Sequence, residues 1–211
     1  MDGVETGLRA SANERTREAY EELVRPCIDA LYRTALRMTG DSHAAEDLVQ
    51  ETCLKAFRGF HGYETGTNFK AWLFRILTNA CIDSRRKNAR APFVDMDDDH
   101  LDQIASTATT NPAGDPQGPE IHVLYKTFRS EAFRAMAELP PDIRIVVALA
   151  LLKEFTYQEI AEVAGCPVGT VRSRLSRGRQ KLQAALWDYV PDDAEASLDS
   201  IAVPPVKGQK V

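Results

Sequence analysis

Apolar positions recur with the helical period along most of the chain, and no stretch alternates as a half-buried strand would. From Asn13 to Thr39, the residues Leu23, Cys27, Ala30, Leu31, Ala35 and Met38 mark the inward side of a helix that Pro26 kinks or splits. Gly40-Asp41-Ser42 supplies a stop and a new cap. His43 to Phe60 is a regular amphipathic helix, with Ala45, Leu48, Val49, Thr52, Cys53, Ala56, Phe57 and Phe60 on one face. Its outer face begins acidic (Glu46, Asp47, Gln50, Glu51) and ends basic (Lys55, Arg58), an order that complements the helix dipole. Gly59 to Thr67 is a loop with three glycines that carries His61 and Tyr63. Thr67 is placed to cap a third helix, Asn68 to about Lys87, with Phe69, Trp72, Leu73, Ile76 and Ala80 inward. Phe74, Arg75, Asn79 and the closing Arg85-Arg86-Lys87 form its outer, partly basic face.

The period is lost from residue 91 to about 120, where Pro, Gly, Asp, Ser and Thr predominate, and this stretch reads as a linker. It resumes at His122 with Phe128, Ala132, Phe133, Met136 and Leu139, and breaks at Pro140-Pro141. A further apolar helix follows, with Ile143, Val146, Val147, Leu149, Ala150 and Leu151. Thr156 and Glu159 then have the spacing of a capping box, Ile160, Ala161, Val163 and Ala164 give an apolar face, and Gly165 ends the helix. After Pro167, Val171, Leu175, Gly178 and Leu182 recur at i, i+4, i+7 and i+11. The opposite face carries Arg172, Ser173, Ser176, Arg177 and Arg179, with Thr170 near the helix start. A capped short helix, a glycine turn and a basic second helix make a helix-turn-helix, which lays its second helix in the major groove of DNA. The chain after Pro191 reads as a disordered tail. The fold expected is all-α, with two small helical domains joined by a flexible acidic linker, the second containing the helix-turn-helix.

Charge sharpens the picture. The 211 residues carry 26 Lys and Arg against 31 Asp and Glu, a net −5 that looks wrong for a nucleic-acid binder. The average conceals segregation. Val168 to Trp187 holds five basic residues and no acid, whereas Ala91 to Tyr125 holds no Lys or Arg and has Asp95, Asp97, Asp98, Asp99, Asp102, Asp115 and Glu120. The bland reading of the basic helix is a solvated face on an ordinary helix pair; the acid-free run and the small polar residues between the arginines favour DNA instead.

Cys27, Cys53, Cys81 and Cys166 never form a C-x-x-C pair, which favours reduced, buried thiols over disulfides or zinc. No apolar run approaches the ~20 residues of a membrane span, and the N-terminus lacks the apolar core of a signal peptide. A cytoplasmic protein without membrane insertion is expected. No H-E-x-x-H, P-loop or G-x-S-x-G motif is present, and His43, His61, His100 and His122 share no constellation. No catalytic residue, metal or cofactor is expected.

Three segments in this order, AEDLVQET, WLFRILTN and GTVRSRLSRGR, resemble bacterial sigma factors of the extracytoplasmic-function group, which are related to sigma-70. The resemblance covers roughly residues 20–90 and 125–187. It implies sigma region 2 at 12–90, a linker at 91–121, region 4 at 122–189 and a tail at 190–211. It further implies that Asp47, Gln50 and Glu51 grip the clamp helices of the polymerase β′ subunit, and that region 4 meets the β flap. His61, Tyr63, Arg75, Asn79, Arg85 and Arg86 fall where such factors recognise and melt the −10 element, a task that needs a pocket for an extruded base and cations along one strand. Thr170, Arg172, Ser173, Ser176, Arg177 and Arg179 fall on the −35-reading face, where arginine pairs bidentately with guanine. Core RNA polymerase, promoter DNA and an anti-sigma factor are the implied partners, and stress response the implied setting. A stand-alone helix-turn-helix regulator is the alternative, and it requires a ligand pocket or dimer helix in the first ninety residues.

Overall fold

A computed structural model describes residues 14–64, 66–87 and 119–187; the linker and tail expected at 91–121 and 190–211 fall almost wholly outside them. Every regular element among the described residues is helical. Helix α1 (14–24) runs through a 3₁₀ turn at Arg25–Cys27 into α2 (Ile28–Thr39), so Pro26 splits the first helix. Gly40 ends α2 at φ 76°, a left-handed conformation natural to glycine, and Asp41 caps α3 (Ser42–Gly59) by accepting from the Ala44 N–H at 2.6 Å. A 3₁₀ turn at Phe60–Gly62 leads toward α4 (Phe69–Lys87). Helix α5 (Pro119–Glu138) opens the second group, followed by α6 (Pro141–Ala150), α7 (Tyr157–Ala164) and α8 (Val168–Leu186).

Helices α2, α3 and α4 pack mutually around Leu31, Ala35, Leu36, Leu48, Leu73 and Leu77, all buried. Helix α1 closes over them: the Tyr20 hydroxyl donates to the Cys53 carbonyl at 2.9 Å, and its ring meets Phe57, Phe60 and Phe69 edge-on at 5.3–6.3 Å. In the second group α8 lies against α5, α6 and α7, with Val146, Leu149, Ile160, Val171 and Leu175 inside. The two groups also touch each other, α4 against α7 and α2 against α5 and α6. Cys27 and Cys81 are buried, Cys53 and Cys166 half-buried, and all four thiols are unpaired.

Four expectations are corrected. Leu23 and Phe57, expected inward, are 37% and 41% exposed: on α1 the buried positions are Tyr20 and Val24, and Phe57 lies against the edge of the Tyr20 ring at 5.3 Å. Phe74, expected on the outer face of α4, is fully buried, packed edge-on against Phe155 of the second group at 5.1 Å. The cap of α4 is Asn68, whose Oδ1 accepts from the Ala71 N–H at 3.0 Å, while Thr67 donates back to the Glu64 carbonyl.

Candidate functional site

The helix-turn-helix is assembled by local chemistry. Thr156 accepts from the Glu159 N–H at 3.2 Å, and Glu159 Oε2 accepts from the Thr156 N–H at 2.8 Å, completing the capping box of α7. Gly165 at φ 62° turns the chain, and Pro167, which needs no N–H partner, leads into α8. The stripe Val171, Leu175 and Gly178 is buried, with Leu182 half-buried. Gly178 is forced by space: a Cβ there would sit 2.5 Å from Val147 Cγ2 and 3.0 Å from Ile143 Cγ2, so α8 crosses α6 at this point. Burying that stripe leaves Arg172, Ser173, Ser176 and Arg177 exposed together on the far side.

The residues of this face are not equivalent. Ser173 donates to the Thr170 carbonyl at 3.0 Å, which leaves its oxygen as an acceptor. Thr170 is half-buried. Arg179 is also half-buried and, with Phe128, Met136, Leu182 and Leu186, lines an apolar cavity of about 150 Å³ between α5 and α8. Arg174, on the edge, pairs with Asp142 of α6 at 3.1 Å. Of the six residues expected to read DNA, four are exposed together: Arg172, Ser173, Ser176 and Arg177.

On α4 the exposed strip is Arg75, Asn79, Asp83 and Arg86. His61 is exposed in the preceding turn. Tyr63 is half-buried, its ring stacked on Phe60 at 5.8 Å and 11° and its hydroxyl donating to the Thr67 carbonyl at 2.6 Å. With Phe69 and Trp72 it forms an aromatic cluster beside the exposed strip, its ring 5.3 and 5.2 Å from theirs. Arg85 does not join that strip. It donates to the Met38 carbonyl at the end of α2 at 2.9 Å, and is held as a structural contact.

On α3, Asp47 and Gln50 are exposed, and Glu51 is tied to Lys55 at 2.8 Å. Leu54 and Phe57, 57% and 41% exposed, lie one and two turns further along and give this acidic face an apolar end that the sequence reading put inside or passed over.

Arg144 was also missed. It is 5% exposed within the apolar run of α6, donating to the Met38 carbonyl at 3.2 Å and to the Leu139 carbonyl at 2.9 Å. Burial, reinforced by Arg85, pushes its guanidinium down to about 10, with Cys81 opposing. An arginine in the midst of IRIVVALA was the available signal.

Residues 23–91 match the model of Sigma-70 region 2, and residues 129–182 match that of Sigma-70, region 4. The chain is 35% identical over 190 residues to the ECF RNA polymerase sigma factor SigE of Mycolicibacterium smegmatis, spanning 89% of this chain and 69% of that protein. It is 34% identical over 171 residues to the ECF RNA polymerase sigma factor EcfG of Rhodopseudomonas palustris, spanning 79% of this chain and 87% of that protein. Among solved structures, the sigma factor RpoE of Bartonella quintana, in complex with the anti-sigma factor NepR, superposes with a TM-score of 0.60 at 27% identity, covering 81% of this chain and 98% of that one. The chain belongs to the ECF RNA polymerase sigma factors, sigma-70 relatives that direct transcription initiation through regions 2 and 4.

Proposed function

We propose that the four helices of region 2 bind core polymerase and melt the −10 element, while the helix-turn-helix of region 4 reads the −35 element. The observation that carries this reading is the division of α8, with Val171, Leu175 and Gly178 buried and Arg172, Ser173, Ser176 and Arg177 exposed on the opposite side. Arg172 and Arg177 are the guanine readers, through bidentate pairs to O6 and N7, and the serine hydroxyls serve the neighbouring bases. Arg75, Asn79 and Arg86 track the melted strand, with His61 at its edge and the Tyr63 cluster as the stacking platform. Arg85 acts behind them as a positioning residue. Asp47, Gln50 and Glu51, extended by Leu54 and Phe57, form the grip on the β′ clamp helices, and region 4 meets the β flap. The acidic stretch 91–121 connects the two regions, and an anti-sigma factor, of the kind complexed with the Bartonella relative, holds the chain in reserve.

A sigma factor acts by binding, not by catalysis, so the test is initiation itself. Purified chain added to core polymerase on a genomic promoter library should give start sites preceded by one shared −35 and one shared −10 sequence. Start sites with no shared upstream sequence, or initiation independent of the added chain, would contradict the proposal.

A further inference from the structure

Between α5 and α8, region 4 carries a cavity that the side chains around it do not fill. Its volume is about 150 Å³, and its lining is almost wholly apolar, with Phe128 and Met136 of α5, Leu151 after α6, and Leu182 and Leu186 of α8. A cavity of that size and character stays dry and takes a small hydrocarbon group in preference to water. Among the described residues, Arg179 is the one charged side chain of the lining. It is half-buried, Gln183 on the same helix is exposed, and none of the ion pairs among the described residues uses it. The site therefore fits an aliphatic side chain with a carboxylate beside it.

Residues 188–211 follow directly from the helix that lines this cavity, and their composition matches it. Asp188, Asp192, Asp193, Glu195 and Asp199 all precede the first basic residue, Lys207, and Leu198, Ile201 and Val203 stand around Asp199. Against these acids α8 offers Arg179 and the exposed Lys181. The reach is also sufficient. Arg179 lies ~12 Å back along the helix from Trp187 at ~1.5 Å per residue, whereas the stretch 188–197 spans about 18 Å as a flexible chain. Pro191, which cannot continue a helix, gives the chain a place to turn back. A tether this short holds the segment at a high effective concentration, so a weak contact is enough; a second copy would have to bring the same contact from solution. We infer that the segment 197–203 folds back on region 4, presents Leu198 and Ile201 to the α5–α8 cavity and sets Asp199 against Arg179. A segment whose composition favours disorder on its own is then ordered by the groove it occupies. The inference does not depend on which DNA element region 4 reads.

The test is hydrogen exchange, read by mass spectrometry over the stretches 128–136 and 179–186. It compares the full chain, a chain ending at Val190 and the full chain with Leu198→Asp/Ile201→Asp. These changes lie outside the packed helices, so the helical core should persist in all three by circular dichroism. Both stretches should exchange about tenfold faster in the truncated chain and in the double variant than in the full chain. Asp199→Arg should lose part of the protection, and Asp199→Arg/Arg179→Asp should recover it. Equal exchange in the full and truncated chains overturns the inference, as does protection lost on truncation but kept by the double variant. Protection that grows with protein concentration would assign the cavity to a second copy and overturns it equally.

Discussion

Helices α4 and α8 are both 19 residues long, and both carry candidate DNA-reading side chains, yet they present those side chains differently. Helix α8 buries Val171, Leu175 and Gly178 and offers the opposite side to solvent, so its proposed DNA-reading face follows from its apolar stripe. Helix α4 is buried over a much wider arc. Leu73, Phe74 and Ala80 are all buried, Phe74 against Phe155 of region 4, and among the described side chains Arg75, Asn79, Asp83, Ser84 and Arg86 are left exposed. Periodicity identifies residues that share a face; it does not say how many neighbours the helix has. Amphipathicity locates the functional side directly only where a helix has one buried face.

The largest expected effect breaks this comparison at α4. Phe74→Ala removes a ring buried by both regions and should cost about 3–5 kcal/mol in thermal or denaturant unfolding. Arg75→Ala, one residue further and exposed, should stay within about 0.5 kcal/mol of wild type while reducing −10-dependent transcription. Equal stability losses at the two positions would mean that α4 is not divided between a seam and a reading strip.

A smaller effect sharpens the account of α8. Gly178→Ala drives a methyl into Val147, which is itself buried, and should cost about 1–3 kcal/mol by overpacking. Gly169→Ala, on the same helix with nothing within 4 Å of the new Cβ, should stabilise by about 0.5–1 kcal/mol through helix propensity. Chemical denaturation of both variants checks the difference in sign.

The smallest change in stability is expected on α3. Charge reversal at Asp47 and Glu51 removes only the exposed Glu51–Lys55 pair, about 0.3–0.5 kcal/mol, with an unchanged circular dichroism spectrum. Binding to core polymerase should nevertheless weaken severalfold, as measured by competition against labelled chain.

The all-helical fold, the glycine stops at Gly40 and Gly165 and the Thr156–Glu159 box were legible because each depends on neighbours within four residues. The exposed quartet of α8 was legible for the reason already given. Other features were settled by distant partners. Thr67 and Asn68 are both competent caps, and the choice fell to the side chain that reaches the Ala71 N–H. Phe57, 41% exposed, lies against the edge of a ring from another helix, that of Tyr20, whose hydroxyl donates to the Cys53 carbonyl. Arg85 and Arg179 looked like DNA contacts by charge, but Met38 and the apolar cavity under α8 draw them inward. Arg144 and the Lys70–Glu154 pair join residues 106 and 84 positions from their partners, beyond the reach of any local pattern.

The central claim is that one side of α8 reads bases while the other holds the domain together. Transcription from a library of −35 variants, driven in parallel by Arg177→Ala and Leu175→Ala holoenzymes, tests it most directly. Arg177→Ala should relax preference at one −35 position by about 1–3 kcal/mol, as expected for a lost bidentate pair, and leave stability unchanged. Leu175→Ala should destabilise region 4 by about 2–5 kcal/mol and lower use of all −35 sequences by a common factor. A uniform loss with Arg177→Ala, together with a shifted base preference in Leu175→Ala, would contradict the account and reverse the two faces of the helix.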